Sequence, residues 1–387
     1  MTRTVETVET VADATFLAHT PMGGPFAVGS HHLAAAMAAD GLRVNHISLP
    51  VTPLHLGRLR DPVIRMRMRR AGRWAADGAV VQDLVPLGLV PSQAYLRHPA
   101  LGGLAAHTTS PRPRRFKQKV LFVDHPGAWP LARSMQADRL IYRPTDVYQH
   151  LNGGRVRKVE QEVLAACDGV VATSDIVAES CRELGYGGPM LTVPNGVGPA
   201  PAPDAPEGLA ITRRLEASAD GRPIVLYVGA LDDRFDASLF GTLAERRTDA
   251  VFAVIGPNPS RAPVRWGPDV VYMGPQPPTA ARAAMTAAHV GLMPFSDHAA
   301  NQGRSPMKVL ELVADGCQVV ARSTPPLVAM DDLLGGALSL YSTAAEAASQ
   351  LDAALATARP GPCRMPERLT WAAKSREILA FVDGLRR

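Results

Sequence analysis

Cysteine is scarce in this sequence and scattered: Cys167, Cys181, Cys317 and Cys363 are the whole set in 387 residues, and no two make a C-x-x-C pair. That spacing excludes a zinc ribbon and a disulfide framework, and it fits a reducing compartment, so a cytoplasmic protein is expected. Aromatic residues are only 5% of the chain and do not interleave with its basic clusters. A base-stacking platform is therefore missing, and no nucleic-acid partner is expected. No apolar run approaches the roughly 20 residues that a membrane-spanning helix needs, and the polar, acidic start does not read as a signal peptide. Nor do the glycines spell G-x-G-x-x-G with an acidic residue about 20 positions on, which disfavours a dinucleotide-dependent dehydrogenase.

What is present is an ordinary globular composition, 46% hydrophobic and 20% charged, in a chain long enough for two domains with their own cores. The net charge of +5 is mild, but the cations cluster. Arg58, Arg60, Arg65, Arg67, Arg69, Arg70 and Arg73 form one group; Arg112, Arg114, Arg115, Lys117 and Lys119 form another. A helix starts at Asp61-Pro62, where Ile64, Met68 and Ala71 share a face and arginines crowd the others. Two readings are open: a solvated basic helix, or an interfacial one in peripheral contact with anionic membrane or a phosphorylated acceptor.

Along the chain, strand-like runs alternate with helical ones, which predicts an α/β architecture with parallel sheets. Residues 14–19 read as a buried strand, followed by a loop with Gly23, Gly24 and Gly29, a helix from about Ser30 to Ala39, and a strand over 43–49. A Gly-rich first turn of this kind marks a place where backbone approaches a ligand or a packed neighbour. Further strands are expected at 79–84, 120–124, 140–144, 169–173 and 190–193, with helices at 156–166 and 176–184. Residues 199–207, rich in proline, read as a linker. A second α/β series follows, with strands at 224–228, 251–255, 270–273, 290–294, 318–321 and 338–341. The expected domains are thus 1–199, 208–366, and a closing helix in 367–387 that packs back toward the first. Two Rossmann-like domains facing across an interdomain cleft would bring two substrates together.

One stretch stands out, Ser305-Pro306-Met307-Lys308-Val309-Leu310-Glu311. Ser305 suits a helix N-cap and Pro306 the first helical position. Lys308 would then occupy the third, where the macrodipole disfavours a cation by about 0.3–1 kcal/mol. An anion docked on the free N–H groups would explain the placement, with Glu311 one turn on accepting from ribose hydroxyls. The plainer alternative is an i,i+3 surface pair of Lys308 with Glu311.

With these residues laid out, the chain resembles the GT-B glycosyltransferases. The segments that carry the likeness are Val225 to Asp236, Val254-Ile-Gly-Pro257, Val270 to Gly274, Val290 to Phe295, Ser305 to Glu311, Asp315 to Ala321, and Thr192 to Val197 at the hinge. In the first half, Leu140 to Tyr148 resembles a segment of the subgroup that includes the glucuronosyltransferase of xanthan assembly. The resemblance implies a nucleoside diphosphate sugar as donor, UDP-linked in many relatives, bound by the second half, and an acceptor bound by the first. Carried over, Gly229 lets backbone approach the diphosphate, Arg234 and Lys308 pair with it, Ser305 and Met307 lie at the same helix start, Glu311 holds the ribose, and the peptides around Tyr272 to Gly274 hold the base. It also implies no cofactor and no metal, since Asp232-Asp233 lies in the diphosphate loop and Asp331-Asp332 beyond a Pro-Pro turn. One departure is plain: where the large retaining family has the first of two glutamates, this chain has Gly303.

If the reaction inverts, a general base must come from the first half. Asp146, at a strand end in the recognised segment, is the first candidate, and its alternative role is a cap for the turn that follows. His31, His32, Asp124 and His125 are the other candidates, each readable as an ordinary loop residue. The acceptor is a lipid-linked glycan or a small natural product. A nucleotide-sugar epimerase and a non-catalytic nucleotide-sugar-binding protein are the rival readings.

Overall fold

The computed structural model describes residues 12–24, 27–72, 74–77, 81–110, 117–200, 205–258, 266–267 and 269–385. Arg73, Arg112, Arg114 and Arg115, the first residues of the strand expected at 79–84, and residues 201–204 of the Pro-rich stretch lie outside the described residues. The chain makes two compact units, one running to Pro194 and resuming at Trp371, the other Asn195–Thr370.

The first unit is built on β1 (Ala12–Ala18), β2 (Val44–Ser48), β3 (Trp74–Asp77), β4 (Val81–Leu84), β5 (Lys117–Val123), β6 (Gln136–Tyr142), β7 (Gly169–Ala172) and β8 (Met190–Thr192). Their order across the sheet is β3-β4-β2-β1-β5-β6-β7-β8. All pairs are parallel except β3 with β4. The edge strand β3 was not expected, and its Trp-Ala-Ala-Asp run explains why: with no β-branched residue, its extended form comes from pairing with β4. Phe16 and Phe122, register partners on β1 and β5, stack with centroids 4.6 Å apart at the middle of the sheet. The chain order reverses between β1 and β5, so the loops after these strands flank the switch point where open α/β sheets bind ligands.

The second unit holds β9 (Ile224–Val228), β10 (Val251–Ile255), β11 (Val270–Gly274), β12 (Val290–Met293), β13 (Gln318–Arg322) and β14 (Leu338–Tyr341). The order is β11-β10-β9-β12-β13-β14, all parallel. Every residue of β9, β10 and β12 is buried, as strands covered on both faces require. Here the reversal falls between β9 and β12. The loops after those two strands carry Gly229 to Asp236 and Pro294 to Pro306.

Three sequence expectations are corrected. Gly29 is the first residue of the helix Gly29–Ala39 and not part of the glycine loop. The Pro-rich stretch does not stay extended throughout: Pro206, whose fixed φ suits the first helical turn, opens the helix Pro206–Ala219. The last helix begins later than Glu367, as Trp371–Gly384. The short turn Glu367–Leu369 ahead of it stays with the second unit, where Val197 N–H donates to the Leu369 carbonyl at 2.8 Å. The helix itself belongs to the first unit. Its Trp371 ring stacks on His32 of the helix Gly29–Ala39, centroids 5.0 Å apart and planes 3° from parallel. A Cβ on Gly169 would stand 3.0 Å from the Phe381 ring of the same helix.

Candidate functional site

In the second unit the chemistry-bearing residues gather at the carboxyl edge of the sheet. The turns after β9, β10 and β11 are closed by Gly229, Gly256 and Gly274. Gly229 N–H donates to the Ile255 carbonyl at 2.9 Å, and Gly256 N–H to the Gly274 carbonyl at 3.0 Å. The main-chain approach at Gly229 is to Gly256: a Cβ there would fall 1.8 Å from the Gly229 oxygen. Gly274 has φ +68°, a left-handed conformation costly for other residues. The exposed Tyr272 donates its hydroxyl proton to the Gly256 carbonyl at 2.8 Å. Gly256 lies in a segment quoted above for the resemblance but was not among the expected site residues; the hint was a glycine immediately after a buried strand.

The loop after β9 holds Arg234 against Asp232. Its Nε donates to Asp232 Oδ1 at 3.0 Å and its terminal nitrogen to Oδ2 at 2.5 Å. Burial alone would raise the Asp232 carboxyl, but the Arg234 hydrogen bonds and the nearby positive charge of Arg304 outweigh it and hold the pKa below its ordinary value. Both oxygens of Asp232 are thus engaged by a cation from its own loop. Arg304 also bears on the Tyr227 hydroxyl, beside Asp232 and Arg234. It is a cation that sequence reading passed over.

This loop is stitched to the one after β12. Buried Asn301 donates from Nδ2 to the carbonyls of Arg234 and Ser296, both at 3.0 Å. Ser296 N–H donates to the Arg234 carbonyl at 2.9 Å, and Phe235 bridges Phe295. Asn301 Oδ1 is buried with no hydrogen-bond partner.

The helix that follows is Met307–Ala314, with Pro306 as its N-cap residue. The expectation that Ser305 would cap it is corrected. Asn195 N–H donates to the Ser305 hydroxyl at 3.0 Å and Asn195 Nδ2 to the Ser305 carbonyl at 2.7 Å, so that residue is spent holding Asn195. Lys308 is therefore the second helical residue, closer to the open N–H groups than the third position would be. Its Nζ donates to Glu311 Oε2 at 2.8 Å. Glu311 is buried, unlike a member of a surface pair, and its other oxygen lies 3.6 Å from Arg282. Arg282, itself buried on the helix Pro278–Ala287, makes a two-pronged pair with Asp315. A Lys308 that swings toward a ligand leaves Glu311 with a second cation.

In the first unit the candidates separate by what already occupies them. His31 is buried and doubly used: Nε2 lies 3.2 Å from the Thr20 carbonyl and Nδ1 accepts from Val28 N–H at 3.4 Å, which clasps the glycine loop. Burial, with His46 nearby, pushes its pKa well below the ordinary value, so the ring is neutral at pH 7. His32 is packed on Trp371. Asp124 is buried and its Oδ2 accepts from Arg143 at 2.6 Å. Burial raises its pKa despite that cation. His125 accepts the Gly127 N–H on Nδ1 at 3.0 Å and packs edge-on to Tyr148. Its pKa is pushed down to about 3, chiefly by burial and then by His19. Such a ring donates hydrogen bonds but is a weak base. Asp146 is half-buried after β6 and receives the Thr145 hydroxyl at 3.2 Å, while Val147 holds the N-cap position of the short helix Tyr148–Asn152 with no side-chain cap bond. Gly23, at φ +63°, faces Arg70: a Cβ there would stand 3.3 Å from that guanidinium. Gly24 packs against Met66 of the helix Pro62–Arg70, which also carries Arg70. Arg70 in turn donates to the Met22 carbonyl and, at 2.9 Å, to buried Asp83, which also pairs with His46 at 2.8 Å.

No protein-family model matches the chain. Over 231 residues it is 26% identical to a protein of Bacillus subtilis (strain 168) that carries the name teichuronic acid biosynthesis glycosyltransferase TuaH. The match takes in 53% of this chain and 55% of that protein, so the chain spans about half the length of the curated relative it matches. Solved structures align over nearly the full length at low identity. A sucrose-phosphate synthase of Thermosynechococcus elongatus has a TM-score of 0.62 at 17% identity, covering 96% of this chain and 94% of that one. The catalytic domain of Arabidopsis thaliana starch synthase IV, bound to ADP and acarbose, has a TM-score of 0.63 at 10% identity, with 97% and 99% covered. Anabaena HepE, in complex with UDP and glucose, has a TM-score of 0.57 at 12% identity, with 96% and 100% covered.

Proposed function

We propose that this chain, which has the GT-B fold of these glycosyltransferases, moves a sugar from a nucleoside diphosphate to an acceptor hydroxyl. The observation that carries the reading is the arrangement in the second unit. A lysine in the first turn of a helix, paired with a buried glutamate, follows directly on a loop that binds the Arg234 segment through Asn301. Open N–H groups and nearby cations are what a departing diphosphate requires, because they meet its developing charge. Lys308 and Arg234 take that charge, and Arg304 adds to it. Glu311, kept in place by Arg282, accepts from the ribose hydroxyls. The turn from Tyr272 to Gly274 receives the base.

The transfer is metal-independent in this reading, since side chains supply the positive charge. The first unit binds the acceptor, a lipid-linked glycan or a small molecule. Asp146 is the base if the reaction inverts; His125, neutral across the physiological range, orients a hydroxyl. The ligands bound in the structural neighbours, UDP in HepE and ADP in starch synthase IV, support a nucleoside diphosphate as leaving group.

The test is a thermal-shift screen against UDP-, GDP-, TDP- and ADP-sugars in EDTA, followed by analysis of each donor after incubation. The proposal expects stabilisation by one base series and slow release of free sugar. Equilibration of the sugar to an epimer, or a donor bound and left intact, would replace it with an epimerase or a sensor. No stabilisation by any donor would remove it.

A further inference from the structure

We infer that a strip of exposed leucines on the first unit, flanked by arginines, docks on the surface of an anionic lipid bilayer. The basic helix is not itself the docking face, because part of its charge is turned inward. Arg67 donates to the Leu49 carbonyl at 2.5 Å, and Arg70 is occupied by Met22 and Asp83. What remains outward is Arg58, Arg60, Arg65 and Arg69.

Beside them lies an apolar surface that no periodicity announces. Leu54, Leu56, Leu59, Leu87, Leu89 and Leu104 are all exposed, Leu54 to 73% and Leu89 to 61%. They come from three segments that run side by side. Val51 bridges Leu87, with Val51 N–H to the Pro86 carbonyl at 2.7 Å and Gly88 N–H back to the Val51 carbonyl at 2.8 Å. Leu89 N–H donates to the Thr108 hydroxyl, which donates to the Leu104 carbonyl at 2.9 Å. The arginine helix joins the same strip, since Ala71 bridges Val85. Among the described residues, the other exposed large apolar side chains are Leu151, Leu209, Tyr272 and Val328, which are scattered through the chain.

Exposed leucines gathered on neighbouring segments in this way mark an interaction surface. The charge around it selects the partner. Residues 49–110 carry eight arginines against three aspartates. Of those aspartates, Asp83 is buried and Asp61 is paired with Arg58 at 3.3 Å. Leucines that enter the headgroup region, with arginines held at the phosphate level, are the two components of interfacial binding to anionic lipid. The inference does not rest on the proposed transfer reaction, because binding is measured with neither donor nor acceptor present.

The experiment is co-sedimentation of the full chain with vesicles of phosphatidylcholine alone or of equimolar phosphatidylcholine and phosphatidylglycerol. Binding is expected to the second and not the first, and to fall as salt is raised. Arg65→Gln and Arg69→Gln each weaken it about fivefold. The triple variant Leu54→Ser, Leu56→Ser, Leu89→Ser weakens it at least about tenfold, with an unchanged melting temperature. Binding that ignores the leucine substitutions would reduce the surface to a polyanion site and overturn the inference. So would a wild-type dimer in sedimentation equilibrium that these substitutions dissolve, because the strip would then be covered by a second copy. Failure to bind either vesicle overturns it outright.

Discussion

Glu160 shows what a single buried carboxyl does to this chain. It lies on the helix Arg157–Ala166 and accepts the Tyr142 hydroxyl at 2.9 Å. Burial pushes its pKa up from 4.5 to about 7, against the lowering effect of that hydrogen bond. With the folded value above the unfolded one, the folded state holds the extra proton. Its contribution is complete below pH 4.5 and is lost as pH rises to about 7. The loss is about 3 kcal/mol at 1.36 kcal/mol for each pKa unit. Denaturant unfolding of the first unit should therefore weaken across that window in the wild type and stay flatter in Glu160→Gln; parallel curves would reject the assignment. Asn301 is a second residue whose single side chain ties distant segments together. If its amide holds the Arg234 loop, Arg234→Ala and Asn301→Ala each lower kcat/KM by about tenfold to a hundredfold, and the double variant is scarcely worse than Arg234→Ala alone. Multiplicative losses would show that Asn301 acts elsewhere. Such residues set the limit of sequence reading. The pairing of Lys308 with Glu311 was legible, because a cation at a helix start breaks a local rule and its i,i+3 neighbour is acidic. Asn301, Arg282 and Arg304 break none, and their roles arise from contacts between segments far apart in the chain.

The strands of the second unit were the most legible elements, since β9, β10 and β12 are continuously apolar and buried on both faces, and β9, β10 and β11 run into Gly229, Gly256 and Gly274. Three of the six, β9, β10 and β14, run over the residues expected from sequence. The first unit was less legible at its edge, where β3 has no β-branched residue and owes its form to β4. The helix starting at Met307 came out one residue later than expected because Ser305 is drawn to Asn195. Glycines at strand ends were seen as marks of close approach, but which chain approaches which was not readable. Gly256→Ala tests this at the level of the β9 and β10 turns. A methyl 1.8 Å from the Gly229 oxygen forces the two turns apart. The second unit should lose at least about 3 kcal/mol of stability, measured by urea unfolding, as steric strain at a special backbone position does. A loss under about 0.5 kcal/mol, ordinary for a surface substitution, would mean the turns are not held as described.

As a whole molecule, the chain is two units of unequal continuity. The second is one uninterrupted segment, whereas the first needs residues from both ends of the sequence. A chain ending at Thr370 lacks the helix that covers Gly169 and stacks Trp371 on His32. Its first unit should melt well below that of the intact protein while the second keeps its own transition, as calorimetry would show; an unchanged first transition would refute the packing. The central claim concerns the second unit alone: the negative charge of a leaving diphosphate is met by Lys308 at the start of the helix Met307–Ala314. Calorimetric titration in EDTA measures it directly, with the nucleoside diphosphate and monophosphate of the base that the donor screen selects. The account predicts that Lys308→Ala weakens the diphosphate by about tenfold or more, the size of a lost charge-assisted contact, and leaves the monophosphate nearly unchanged. Equal diphosphate affinity in the two proteins, or binding that appears only when a divalent ion is added, would contradict it.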